Sequence, residues 1–177
     1  MLLVTIAAGQ QVAEARLESA EKSAPDAYPS SRTSAVSPDR RFQIISVDRD
    51  VEPRHTLFIE DLRTHLRRKL LDYGRQVEGL WSPDSKSIAV TDYIGSNVSQ
   101  CLIFSTGMDA PPVDVWDEIL RGIANEKERA RLLKNDHVYI AGVRWTNSMT
   151  LKVRVWGHGD VSPAGFQRYY TFTLKPR

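Results

Sequence analysis

The sequence predicts a mainly β domain of antiparallel strands with one inserted α-helix. The first observation is that Trp81 leads into the turn Ser82-Pro83-Asp84, and a strand of alternating apolar residues follows. The second is that the same order of features surrounds Ser37-Pro38-Asp39 earlier in the chain. The third is a helical stripe between about Val113 and Lys134, which interrupts the strands before a last repeated unit.

The Ser-Pro-Asp triplets have a local structural role. Proline fixes its own φ and pushes the preceding residue towards an extended conformation. An aspartate in this position accepts hydrogen bonds from backbone N–H groups just ahead of it. Each triplet therefore predicts a tight turn into the next strand. The alternative is that Asp39 or Asp84 is a catalytic or metal-binding carboxylate, but a turn accounts for both residues.

The strands follow the turns in a regular order. After the first turn we expect strands at 42–47, 56–62 and 67–72, with a turn at 63–65. A competing helical interpretation comes from the spacing of Leu62, Leu66, Leu70 and Tyr73. We prefer strands, because the second unit repeats the order with strands at 87–93 and 99–105 around a polar turn at 95–97.

A third, degenerate unit lies near the end of the chain. Residues 142–148 align with 79–85, and Asn147 keeps a turn-forming side chain. We expect strands at 150–156 and 167–174, with a loop at Gly157-His158-Gly159-Asp160. The second and third turns are farther apart in sequence than the first and second turns are. The predicted helix fills the extra length.

One helix is predicted from about Val113 to Lys134. Pro111-Pro112 precede it, and Asp114 can cap its first turn. Its apolar stripe consists of Trp116, Ile119, Leu120, Ile123, Ala130 and Leu133. The stripe either packs on the protein's own sheet or binds a partner.

The first residues have the composition of a secretory signal peptide. An apolar segment at 1–8 precedes the small residues of Ala13-Glu14-Ala15, although no Lys or Arg stands before it. We therefore predict a signal peptide at 1–15, a polar and poorly ordered tether at 16–34, and the β domain at 35–177. The alternative is a frayed leader with no targeting role. The expected location is periplasmic or secreted, and otherwise cytoplasmic.

Composition narrows the function classes. The 177 residues suit one domain, and 41% hydrophobic with 26% charged residues suits a soluble globular protein. A net charge of +2 argues against a phosphate-binding surface over the whole protein.

Cys101 is the only cysteine, so no intrachain disulfide forms. We expect Cys101 to be a buried small hydrophobe rather than a reactive thiol. No stretch approaches the roughly 20 apolar residues that span a bilayer.

The sequence predicts no catalytic, cofactor-binding or metal-binding residue. The four histidines, at positions 55, 65, 137 and 158, lack the spacing that places two ligands on one helix face. His158 and Asp160 could form an exposed acid/base pair, but no Gly-x-Ser-x-Gly elbow supplies a nucleophile. The dense basic run Arg67-Arg68-Lys69 fits a solvated strand face, and the alternative is an acidic partner.

The units resemble the repeats of TolB-like, WD40-like β-propeller proteins. The residues that carry the resemblance are Leu57 to Thr64, Arg68 to Leu71 and Trp81 to Ala89. It covers 35–106 well and 137–174 loosely, and the family usually has Gly where Ser85 stands. The resemblance implies four-stranded, propeller-like blades. Closed propellers need about four to eight blades. Three units therefore imply an incomplete or open propeller, a fragment, or a chain that closes by self-association.

The resemblance also implies a role, because such propellers serve as scaffolds for protein contacts and are often exported. The leading hypothesis is a non-enzymatic interaction or scaffold protein of the cell envelope, with a protein partner or self-association. Under this hypothesis the protein has no nucleic acid partner and no transmembrane segment. The rival is a hydrolase, or an auxiliary domain of a hydrolase, with a site at the His158 loop. A third hypothesis is glycan contact through Tyr93, Tyr169 or Tyr170.

Overall fold

The computed structural model describes residues 25–28, 34–107 and 110–175. Within these ranges the chain is mainly β, and every sheet is antiparallel, which confirms the predicted class. The strands form three sheets that follow one another along the chain, except that the first strand, Asp26–Tyr28, joins the second sheet. The predicted signal peptide at 1–15 and most of the predicted tether lie outside the described residues.

The first sheet has the strand order β2-β3-β4-β5. Its strands are β2 (Ser34–Val36), β3 (Phe42–Asp48), β4 (His55–Asp61) and β5 (Arg67–Tyr73). Strands were therefore the right prediction for 56–72, and the helical interpretation is wrong. The physical reason is that Leu66 of the helical stripe is 72% exposed in the turn between β4 and β5, so the four residues share no apolar face.

The second sheet has the order β1-β6-β7-β8-β9. Its strands are β1 (Asp26–Tyr28), β6 (Val77–Trp81), β7 (Ser87–Asp92), β8 (Gln100–Ser105) and β9 (Val113–Asp114). The expectation of poor order throughout 16–34 is wrong at β1. This strand pairs with β6, and the ring of Tyr28 is buried in the core.

The third sheet consists of β10 (His137–Asn147), β11 (Thr150–Gly159) and β12 (Ser162–Thr173), in that order. The expected loop at 157–160 is wrong, because β11 continues through His158 to Gly159. The glycines serve close packing instead. A Cβ on Gly157 would lie only 1.9 Å from the carbonyl oxygen of His137 on the neighbouring strand.

Two apolar cores hold the sheets together. The first lies between the first and second sheets and includes Ile44 and Leu57 on one side and Ile88 and Val90 on the other. The second contains Ala89 and Cys101 of the second sheet, with residues of the third sheet and of the first helix. Alternate residues of β7 thus enter different cores, which places the second sheet between its neighbours. The described residues form no closed propeller.

The single helix predicted for 113–134 is wrong, because the segment forms β9 and two short helices. Helix α1 (Val115–Gly122) begins after Asp114, whose carboxylate accepts the N–H of Trp116 at 2.8 Å. Helix α2 (Glu126–Leu133) begins after Asn125, whose side chain accepts the N–H of Lys127 at 3.0 Å. The extended backbone at Ile123 and the second cap separate them.

The apolar stripe of the helical segment also differs from the prediction. Ile119 of α1 and Leu132 of α2 are buried, whereas Ala130 and Leu133 are exposed. The break between the helices changes the rotational phase, so one continuous stripe cannot describe both. The helices in the described ranges are too short and too polar to cross a bilayer.

Candidate functional site

The two Ser-Pro-Asp corners contain matching hydrogen bonds. The hydroxyl of Ser37 donates to Asp39 Oδ1 at 2.6 Å, and that of Ser82 donates to Asp84 Oδ1 at 2.7 Å. Each carboxylate also accepts a backbone N–H two residues ahead. The hydrogen bond from Ser37 lowers the pKa of Asp39. Both carboxylates therefore stabilise turns, as predicted.

The corners also contact each other. The backbone N–H of Asp39 donates to the hydroxyl of Ser85 at 3.0 Å. The first and second sheets are thus joined at equivalent positions, between the first and second strands of each meander. The third sheet turns at the same point through the shorter Ser148-Met149 hairpin, where Asn147 accepts the N–H of Met149 at 2.9 Å.

The structure does not join His158 to Asp160. Because His158 lies opposite His137 in the register of β10 and β11, the two imidazole rings stack with centroids 4.1 Å apart. Among the hydrogen bonds of the described residues, none links His158 with Asp160. The other histidines each contact one carboxylate, His55 with Asp48 and His65 with Glu60. No group of three or more His, Cys, Asp or Glu in the described ranges could hold a metal ion.

Two further candidates from the sequence have structural roles. Cys101 is fully buried, and this burial raises the pKa of its thiol to about 12, so a thiolate is strongly disfavoured. In the basic run on β5, Arg67 and Lys69 approach the carboxylates of Glu60 and Asp72, and Arg68 donates to the carbonyl of Ser105. The positive charges of this run thus already have neighbouring carboxylate or carbonyl oxygens as partners.

A different surface concentrates cations and aromatic rings. Along β11, Leu151, Val153 and Val155 are fully buried in the second core. The intervening side chains therefore lie on the opposite face of the third sheet. We call this surface the basic aromatic face, and its residues are Tyr139, Arg144, Lys152, Arg154, Trp156 and Tyr169. The strand register places Tyr139 beside Trp156, Arg154 beside Tyr169, and Arg144 beside Lys152.

The side chains of the basic aromatic face contact one another directly. The rings of Tyr139 and Trp156 stack with centroids 5.3 Å apart. The guanidinium of Arg154 lies 4.3 Å from the centre of the Trp156 ring. The ammonium of Lys152 lies 4.9 Å from the centre of the Tyr169 ring. These cation–π contacts order long side chains that would otherwise move freely in solvent.

The charged side chains of this face are all positive. Its three cations, Arg144, Lys152 and Arg154, form no ion pair with any carboxylate of the described residues. The Nε of Arg154 is buried and has no hydrogen-bond partner there either. Like charges beside each other on neighbouring strands destabilise a sheet. Arg144 and Lys152, which lie beside each other in the register, thus repel each other without a balancing carboxylate among the described residues.

Most of this face was missed by the sequence interpretation. Tyr169 was named as an exposed aromatic, and it is 53% exposed here. Tyr170 instead packs against the second core, and Tyr93 donates to Glu78 at 3.2 Å with its pKa raised by burial to about 12. The alternation of Lys152, Arg154 and Trp156 with three aliphatic residues was the signal that could have revealed the face.

Comparison with known proteins gives no family. No protein-family model matches the chain, and a search of the curated proteins finds no match. The TolB-like resemblance therefore stays a prediction.

Proposed function

We propose that the protein is a non-enzymatic interaction or scaffold protein of the cell envelope, built from propeller-like blades in an open array. The basic aromatic face is the observation that carries the proposal. Tyr, Trp and Arg are the residue types that dominate binding energy at protein–protein interfaces. Here they cluster at the end of the sheet stack, on a face that no other sheet of the described chain covers.

The order of the sheets supports the blade-like architecture. The three antiparallel meanders are stacked in chain order, and the first two begin with the same hydrogen-bonded corner. Arg40 and Ser85 occupy the same place in those corners, and both adopt positive φ, at 58° and 60°. This conformation favours glycine, the residue that TolB-like repeats usually carry at that place.

The chemistry of the face favours an acidic protein partner. A partner carboxylate would reach the unpaired cations, while the aromatic rings would supply apolar contact area. Such complementarity orients the partner and speeds association, with the rate falling as salt is added. If the partner is a second copy of this chain, light scattering will measure a mass that increases with protein concentration. A mass that stays monomeric points to a different protein.

Location in the envelope rests on the composition of residues 1–15. The measurement is mass spectrometry of the protein from a periplasmic fraction, with the mature N-terminus as the readout. We expect cleavage after Ala15 or close to it. An intact Met1, with protein only in the cytosol, would contradict this part of the proposal.

The interaction itself is tested by quantitative capture from the envelope fraction. Wild-type protein is compared with Arg154→Gln and Trp156→Ala, and Arg63→Gln serves as a control in the exposed turn of the first sheet. We expect each face variant to capture at least tenfold less of one defined partner protein than the wild type does. The control should capture as much as the wild type. Equal capture by all four proteins would contradict the proposal.

A further inference from the structure

A cleft of about 360 Å³ lies between helix α2 and strand β12. Its volume is within the range of small-molecule sites. Phe166 and Arg168, which line it, are on the opposite face of the third sheet from Tyr169. The cleft is therefore separate from the basic aromatic face, and a function for one does not depend on the other.

Three cations converge on this cleft. Lys127 and Arg131 come from α2, four residues apart and so on one side of the helix, and Arg168 comes from β12. None of the three forms an ion pair with a carboxylate in the part of the chain that the structure describes. Two like charges at this helical spacing destabilise a helix. A bound anion would remove that repulsion.

One carboxylate also lines the cleft. Glu128 lies close to Tyr170, where it adds to the effect of burial in raising the pKa of that phenol. Three cations against one carboxylate leave the cleft positive. The apolar part of the lining comes from Leu132, which is buried, and from the partly buried ring of Phe166. The cleft thus combines positive charge with an apolar wall.

Two buried polar side chains of the lining each have an oxygen atom without a hydrogen-bond partner among the described residues. Ser162 is 3% exposed, and its Oγ has no hydrogen bond among the described residues. Asn135 is 9% exposed; its amide nitrogen donates to the carbonyl of Arg131, but its Oδ1 accepts nothing. Buried polar atoms without partners are uncommon, because each loses its hydration without compensation. Both atoms lie within the lining of the cleft, where a ligand that displaces the covering side chains would give each a partner.

We propose that the cleft between α2 and β12 binds a small organic anion with an apolar or aromatic body. The anionic group, a carboxylate or a phosphate, lies between Arg131, Arg168 and Lys127. The apolar body packs on Phe166 and Leu132. Ser162, whose Oγ is buried in the lining, donates to the anion when the side chains around it move to admit the ligand.

The test is isothermal titration of the whole protein at low salt with four probes: phenyl phosphate, benzoate, inorganic phosphate and phenol. We expect phenyl phosphate or benzoate to bind more tightly than inorganic phosphate or phenol, and the tighter of the two identifies the anionic group. Arg131→Gln and Arg168→Gln should each weaken binding by roughly tenfold or more. Lys134→Gln is the control, since it removes one exposed charge from the same helical segment outside the cleft.

The variant Ser162→Ala tests whether the Ser162 hydroxyl takes part in ligand binding or only in the fold. Removal of an unpartnered buried hydroxyl should raise the melting temperature of the free protein while it weakens binding of the aromatic anion. The proposal is overturned if neither aromatic anion binds at millimolar concentrations, or if Lys134→Gln weakens binding as much as Arg131→Gln. Arg154→Gln and Trp156→Ala should leave the titration unchanged, so failure here is distinct from failure of the interaction proposal.

Discussion

Two residues with left-handed backbone conformations differ in what their side chains do. Arg40 and Ser85 have φ values of 58° and 60° at the same place in the two corners. Arg40 is exposed, whereas the hydroxyl of Ser85 accepts the N–H of Asp39. The cost of this conformation for a residue with a Cβ is about 1 kcal/mol. Ser85 offsets that cost with a hydrogen bond, and Arg40 does not.

Glycine substitutions at these two positions should therefore have unequal effects. We expect Arg40→Gly to increase the free energy of unfolding by about 1 kcal/mol, because glycine adopts positive φ without steric cost. Ser85→Gly should give no gain, since it also removes the acceptor between the corners. Urea unfolding of both variants measures the difference. Equal stabilisation by the two substitutions would show that the Asp39–Ser85 hydrogen bond contributes nothing.

Asp92 gives a pH-dependent prediction. Its carboxylate is buried at the end of β7, where Oδ2 accepts from Gln100 and Oδ1 has no partner among the described residues. Burial raises the pKa of Asp92, and the bond from Gln100 only partly opposes this. The folded protein thus binds the proton more tightly than the unfolded chain does. The stability from this group is present below the unfolded pKa and is lost as pH rises through the folded pKa.

Asp92→Asn should consequently raise the melting temperature at pH 7, because the amide keeps an acceptor for Gln100 without a buried charge. The gain should disappear below about pH 4, where the native carboxyl is protonated as well. Asp50→Asn in an exposed loop is the control and should change little at either pH. A gain that is the same at both pH values would contradict the assigned cause.

At the scale of the elements, Gly157 permits the close approach of β10 and β11. A Cβ at this position would lie 1.9 Å from the His137 carbonyl oxygen and 3.2 Å from the Phe166 ring. We expect Gly157→Ala to destabilise the fold by roughly 3 kcal/mol or more, through overpacking that the backbone must relieve. Gly74→Ala is the matched control, because nothing lies within 4 Å of its Cβ. Thermal unfolding that ranks the two variants equally would refute this role for Gly157.

The elements also separate what local sequence predicts from what it cannot. Period-two alternation predicted the strands of the first two sheets, because each strand buries one or both faces against a neighbour. In the sequence the glycines around His158 predict a loop, since their other use, close backbone packing, depends on a strand distant in sequence. The prediction of a single helix is wrong because Asn125 caps a second helix, although a cap is a local signal.

At the scale of the molecule, the position of a sheet in the stack determines its chemistry. The second sheet packs on both faces, and Ile88, Ala89 and Val90 of its strand β7 are all buried. Among the described residues, the third sheet packs through one face only, and its other face carries Lys152, Arg154 and Trp156. Sequence could predict most strands and the two Ser-Pro-Asp turns, but the basic aromatic face required the register of three strands. The ligand cleft required the packing of α2 beside β12.

The central claim is that the basic aromatic face binds a protein partner. The most direct measurement is photo-crosslinking in living cells, with a photoreactive phenylalanine in place of exposed Tyr169. The same residue in place of Leu66, which is exposed at the turn of the first sheet, is the control. The account predicts one discrete protein adduct from position 169 that is absent from position 66 and is lost with Arg154→Gln. No adduct from 169, or the same adducts from both positions, would contradict it.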